Sequence, residues 1–196
     1  MDFKSQKKGI STAFYNFRDN PNILLTLFQE ESFLLGLKVD KSASKLVVSQ
    51  TPDFSALAAF TYEDKLKEFA PDARPSILSG REIAELALNS KSRLLQLDPN
   101  DGPIVLGSML KSIIEKTSWS APSNNEQLFS MIKNTLSKWQ GVNFELAVGE
   151  FTDLKISLFG NVEICIKAAS DLGQLLSKDP KVSGLLPSGA DIVYSS

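Results

Sequence analysis

Residues 98–102 read Asp-Pro-Asn-Asp-Gly and sit between two apolar runs, 94–97 and 104–106. Of all stretches in the chain, this one most resembles a site. Three chemistries suit acids and turn formers crowded in this way. A calcium loop places oxygen ligands at its first, third and fifth positions, glycine at the sixth and a bidentate glutamate at the twelfth. Counting from Asp98 puts Asn100 third, but Gly102 falls fifth and Met109 twelfth, so the glycine is early and the closing acid is missing. A phosphate cradle needs G-x-x-x-x-G-K-[ST], and no lysine follows here. Acid–base work by Asp98 and Asp101 would need one carboxyl buried, whereas a polar loop holding proline and glycine is usually solvated. The residues fit a turn: Pro99 presets its second place, Asn100 and Asp101 tolerate unusual backbone angles, and Gly102 supplies positive φ. The expectation is a strand, a solvated turn and a second strand.

The rest of the chain offers little catalytic material. There is no histidine, which removes Ser-His-Asp and Cys-His catalysis, His-ligated zinc and haem, and the usual base near neutral pH. The single cysteine, Cys165, allows no intrachain disulfide and suits a reducing compartment. Strand parity puts Cys165 beside Glu163 and Lys167, opposite Ile164 and Ile166. A neighbouring lysine lowers a thiol pKa, but without a histidine base or a resolving cysteine the expected role is structural. No catalytic, cofactor-binding or metal-ligating residue is assigned, and no cofactor is expected. The candidates for partner binding are aromatic: Trp119 in a polar linker, Trp139 at a helix end, and Phe14 and Tyr15 near the N-terminus. Such side chains anchor interfaces, and packing inside the chain is the competing use. The net charge of −2 leaves no basic surplus, so neither nucleic acid nor an anionic membrane is an expected partner. The longest apolar clusters, ILLTLF and SFLLGLKV, fall far short of the ~20 residues of a membrane span. MDFKSQKKGISTAF lacks the apolar core of a secretory signal.

The positioning elements follow from periodicity. Ile23, Leu24, Leu27 and Phe28 recur at helical spacing and predict a helix over 22–33, with Pro21 suiting its first turn. KLVVSQ (45–50) and SALAAF (55–60) read as a hairpin across TPDF. Thr61 and Asp64 approximate a capping box for a helix carrying Leu66 and Phe69. Ser79 and Glu82 form a fuller one for GREIAELALNS, whose inner stripe is Ile83, Leu86 and Ala87. Strands at 93–98 and 103–107 precede a helix with Met109, Leu110, Ile113 and Ile114 inward. The polar stretch TSWSAPSNN separates two periodic regions. Ser123 and Glu126 predict a cap for a helix over 124–140, with Gly141 in its C-terminal left-handed place. The period then changes to two: Val142 to Val148, Leu154 to Leu158 and Val162 to Ile166 each alternate, which predicts an antiparallel meander. A helix from Ser170 and a terminal strand DIVY complete an α+β class of two small mixed units, 1–118 and 123–196, linked by 119–122. The first unit carries 15 basic and 15 acidic residues and the second 6 and 8, so neither half predicts a charged partner.

Residues 58–107 resemble the N-terminal domain of the SseB family, the bacterial enhanced serine sensitivity proteins. The resemblance rests on Phe60-Thr61 at a strand end, the helix to Phe69, the segment Pro71 to Pro75, the helix Ser79 to Leu88, and Leu97-Asp98-Pro99. Asp98 stands where the family pattern has asparagine, and Asn100-Asp101-Gly102 lengthens the turn. The alternating strands of the second half and LLPSGADIVY (185–194) are similar in outline to the family's C-terminal domain. The resemblance brings no catalytic motif. It implies a cytoplasmic bacterial protein that is not an enzyme and binds another protein. Two other roles remain open at this point: an immunity or regulatory factor that neutralises a toxin or effector, and an enzyme working through carboxylates with lysine or serine. The latter requires a deep pocket with perturbed ionisable groups.

Overall fold

The structure is a computed structural model that describes residues 20–40, 43–99 and 102–195. The chain divides into two compact units, 1–119 and 120–196. Each mixes helices with a sheet, giving an α+β fold.

The first unit opens with α1 (Pro21–Glu30), whose proline occupies a position where its missing N–H costs nothing. The helix buries Leu24, Leu25 and Phe28 and ends at Glu30, three residues before the predicted end. Ser32–Asp40 forms β1 instead, and Phe33 stacks on Phe28 with ring centroids 4.5 Å apart. The overshoot has a physical cause. Phe33, Leu34, Leu35 and Gly36 are all buried because this strand is covered on both faces. A doubly covered strand reads as a continuous apolar run, which periodicity cannot separate from a helix.

The remaining strands are β2 (Ala43–Leu46), β3 (Val48–Gln50), β4 (Ser55–Phe60), β5 (Arg74–Ser79), β6 (Leu95–Leu97) and β7 (Ile104–Val105). β1 is the hub: it pairs antiparallel with β5, β2 and β4. The predicted hairpin is β3–β4, and its turn is held by the Thr51 hydroxyl, which accepts from the N–H groups of Asp53 and Phe54. β4 also pairs with β6, in parallel. Between them run α2 (Glu63–Phe69), β5 and α3 (Gly80–Leu88), the crossover that a parallel pair requires.

Leu66 of α2 is fully buried on one sheet face with Leu34, Val47, Ala58 and Phe60. That close approach depends on Gly36, where a Cβ would lie 2.6 Å from Val47 Cγ2 and 2.7 Å from Leu66 Cδ1. α3 begins with the predicted capping box. The Ser79 hydroxyl accepts from Glu82 N–H at 3.3 Å, while the Glu82 carboxylate accepts from Ser79 N–H at 2.9 Å. Its buried stripe is Ile83, Ala84 and Ala87, with Leu86 turned outward. α4 (Gly107–Glu115) buries Met109, Leu110 and Ile113.

The second unit runs from a short 3-10 turn (Pro122–Asn124) to α5 (Glu126–Leu136), β8 (Asn143–Ala147), β9 (Leu154–Phe159), α6 (Val162–Lys178), α7 (Pro180–Leu185) and β10 (Ala190–Ser195). Asn125 caps α5 in place of Ser123, its side chain accepting from Leu128 N–H at 2.9 Å. The helix ends at Leu136, and Gly141 takes the expected positive φ of 78°. The sheet order is β10-β9-β8, antiparallel between β8 and β9 and parallel between β9 and β10.

The meander is therefore corrected to a two-stranded hairpin: residues 162–166 open a helix. Gly160 turns the chain at a φ of 146°, and the Asn161 side chain accepts from the N–H groups of Glu163 and Ile164. Once the cap forms, the helix buries Cys165, Ala168 and Leu172 and leaves Ile166 exposed. Five alternating residues fit either period, and the cap decides between them. The core gathers Leu128, Ile132, Leu154, Ile156, Leu158, Cys165 and Leu172 on one sheet face.

Candidate functional site

The Asp-Pro-Asn-Asp-Gly turn follows β6, where sequence placed it, but its first two residues, Asp98 and Pro99, are buried rather than solvated. Asp98 is 6% exposed. Its carboxylate accepts from Thr61 N–H at 2.9 Å and from the Thr61 hydroxyl. Asp98 N–H donates to Ala59 O at 2.8 Å, and its carbonyl accepts from Gly102 N–H at 2.9 Å. Asp98 adopts a left-handed φ of 47°, a conformation that a short polar side chain tolerates. A Cβ on Gly102 would stand 1.7 Å from Leu97 O, so only glycine fits there. Asn100 and Asp101 lie outside the described residues. The arrangement clamps the carboxyl ends of the parallel strands β4 and β6 together. It also takes Thr61 away from α2, whose N-cap is Tyr62 with no side-chain capping bond. Burial raises the Tyr62 phenol above its ordinary pKa, and the Asp98 charge adds to this.

The other predicted residues are placed as follows. Trp119 is half-buried; its indole N–H donates to Ser108 Oγ at 2.9 Å, and its backbone N–H and carbonyl are bridged by the Asn22 amide. It thus belongs to the first unit's own hydrogen-bond network rather than to a loose connection. Trp139 is also half-buried, with its indole N–H 2.9 Å from Asp171 Oδ2 and Lys138 Nζ 2.9 Å from the same oxygen. The Lys138 hydrogen bond chiefly holds the Asp171 carboxyl below its ordinary range; partial burial opposes this, and the Trp139 N–H adds to it. Phe14 and Tyr15 fall outside the described residues. Cys165 is wholly buried on α6. Among the described residues, no group of three or more Cys, Asp or Glu could hold a metal ion, and no helix is long and apolar enough to cross a membrane.

Two surfaces stand out that sequence reading missed. In the first unit, a cleft of about 540 Å³ opens on the β3–β4 hairpin. Leu46, Val48 and Leu57 form its floor, and the α3–β6 connection, Ser90 to Ser92, stands over it as a wall. The registers Val48↔Leu57 and Leu57↔Leu95 put this floor on the same sheet face as Leu95. There Leu95 is fully buried while Val48 is 48% exposed.

In the second unit, β10 is an edge strand whose outer side has no partner strand among the described residues. Val193 and Tyr194, on its two faces, are 41% and 48% exposed. Val162 and Ile166, one turn apart at the start of α6, are exposed as well, and α6 packs against β10. The alternation of DIVY carried the strand signal but not its place at an edge.

No protein-family model matches this chain, and neither does any curated protein or solved structure.

Proposed function

We propose that this chain is a non-enzymatic protein-interaction module of the SseB type, working in a bacterial cytoplasm, and that its partner adds an extended segment along the free edge of β10. The observation that carries this reading is the long, apolar second half of that edge, Ile192 to Tyr194, which no lysine or proline interrupts. Edge strands are usually blunted by lysine, proline, charge or brevity. β2 carries Lys45, β5 carries Arg74 and Pro75, β7 is two residues long and β8 holds Glu145 at its centre. β10 spans six residues and has neither proline nor a basic side chain; its single charge, Asp191, lies at its second position and accepts from the Thr152 hydroxyl, while Val193 and Tyr194 beyond it are exposed. A partner strand would pair with its outward N–H and C=O groups, and alternate side chains would set specificity.

A stable interface covers about 800 Å² on each side, more than one added strand supplies. Val162 and Ile166 of α6, in the same unit, are further exposed apolar side chains that a larger partner could cover. The SseB-type assignment is supported by the succession of β4, α2, α3 and β6, which follows the order of strand, helix, helix and strand in that family's pattern.

The test is affinity capture from a bacterial lysate with the wild type and the Val193→Lys/Tyr194→Lys variant. A partner protein should be lost from the variant while its urea midpoint stays within about 0.5 kcal/mol of wild type, as for exposed positions. Adding the captured partner should protect β10 amides from hydrogen exchange. Equal capture by both proteins would sink strand addition. A dimer of this chain abolished by the same substitutions would replace the foreign partner with a second copy.

A further inference from the structure

The cleft on the β3–β4 hairpin lies in the other unit from β10, and the interaction reading does not use it. Its floor is built from sheet, not from mobile side chains. Val48 pairs with Leu57, and Gln50 with Ser55, so two neighbouring strands fix the floor and one polar end. Its wall is held by its own hydrogen bonds. The Ser90 hydroxyl donates to Ala87 O at 2.6 Å and accepts from Arg93 N–H at 3.2 Å, and the Ser90 and Ser92 hydroxyls lie 3.4 Å apart. Arg93 closes the turn with a left-handed φ of 53°. A preformed recess of this size, apolar below with a few convergent polar groups above, has the anatomy of a small-ligand site.

The charge pattern narrows the ligand. Among the described residues, Lys91 is the only ionisable one lining the cleft, and it forms no ion pair with them. Hydroxyls of Ser90 and Ser92 flank it. We infer that the cleft binds a small amphipathic carboxylate: an aliphatic tail on Leu46, Val48 and Leu57, and a carboxylate at Lys91 and the Ser92 hydroxyl.

Octanoate is the probe, titrated into the full-length ¹⁵N-labelled chain up to about 10 mM; for a ligand of about ten non-hydrogen atoms the expected Kd is near millimolar. Saturable shifts should be confined to amides of 46–57 and 90–92. Octanol, with the same tail and no charge, should bind about fivefold more weakly, the scale of one exposed ion pair. Butyrate should not saturate. Lys91→Gln should bring the octanoate-to-octanol ratio close to one without changing octanol binding. Val48→Glu, at an exposed position, should remove both ligands. Equal affinity for octanoate and octanol in the wild type would overturn the assignment. So would a ratio that Lys91→Gln leaves intact, shifts mapping elsewhere, or no shifts at all. Binding of an apolar tetrapeptide through its C-terminal carboxylate, without binding of octanoate, would also overturn it in favour of a peptide site.

Discussion

Asp98 shows how far a single residue's meaning depends on what folds against it. Its neighbours Pro99 and Gly102 were legible as a turn, but the positive φ expected at Gly102 falls on Asp98, and Gly102 is required because a Cβ would meet Leu97 O. What the local sequence could not show is that the carboxylate is spent on Thr61, 37 residues away. For the same reason the capping box expected at Thr61 and Asp64 does not form: the hydroxyl has a better partner. Asp98→Asn keeps the shape but weakens both bonds to the charged acceptor. It should cost about 2 kcal/mol, the range for a hydrogen bond to an ionised group in a buried place. Thr61→Val should cost a similar amount, and the double variant less than the two together, because both remove the same clamp. Urea unfolding of the three variants measures this; fully additive losses would show that the clamp is not shared.

At the scale of elements, the strand–helix decisions separate according to capping and coverage. α3 was legible because Ser79 and Glu82 satisfy each other within four residues. α6 was not, because Val162, Glu163, Ile164, Cys165 and Ile166 alternate and only the Asn161 cap turns them into a helix. The two placements of Cys165 differ chemically. On a sheet face opposite Ile164 and Ile166, the thiol would be open to reagents; on α6 it is sealed in the core. Iodoacetamide should therefore alkylate Cys165 at least about a hundredfold more slowly in the native protein than in urea, through opening alone. A native rate equal to the unfolded one would return residues 162–166 to an exposed strand.

For the whole molecule, two exposed-side carboxylates are held below their ordinary pKa: Glu82 in the first unit, through Ser79, and Asp171 in the second, through Lys138. A depressed folded pKa adds stability above the unfolded values of about 4.5 and 3.8, and that stability is lost as pH falls through the folded values. The urea midpoint should hold steady above about pH 5 and fall towards pH 3. The Glu82→Gln/Asp171→Asn variant should show a smaller fall, and an unchanged fall would mean that other acids govern it. Sequence by itself determined the α+β class, the hairpin at 48–60, the Ser79–Glu82 cap and the missing histidine chemistry, because each depends on composition or on residues close in the chain. Tertiary structure alone decided that β1 is a strand, that Asp98 is a clamp, that residues 162–166 are helical, and that Val48 and Val193 stay exposed. Each of these depends on which distant element covers a surface, and an apolar residue reads the same in sequence whether or not anything packs on it.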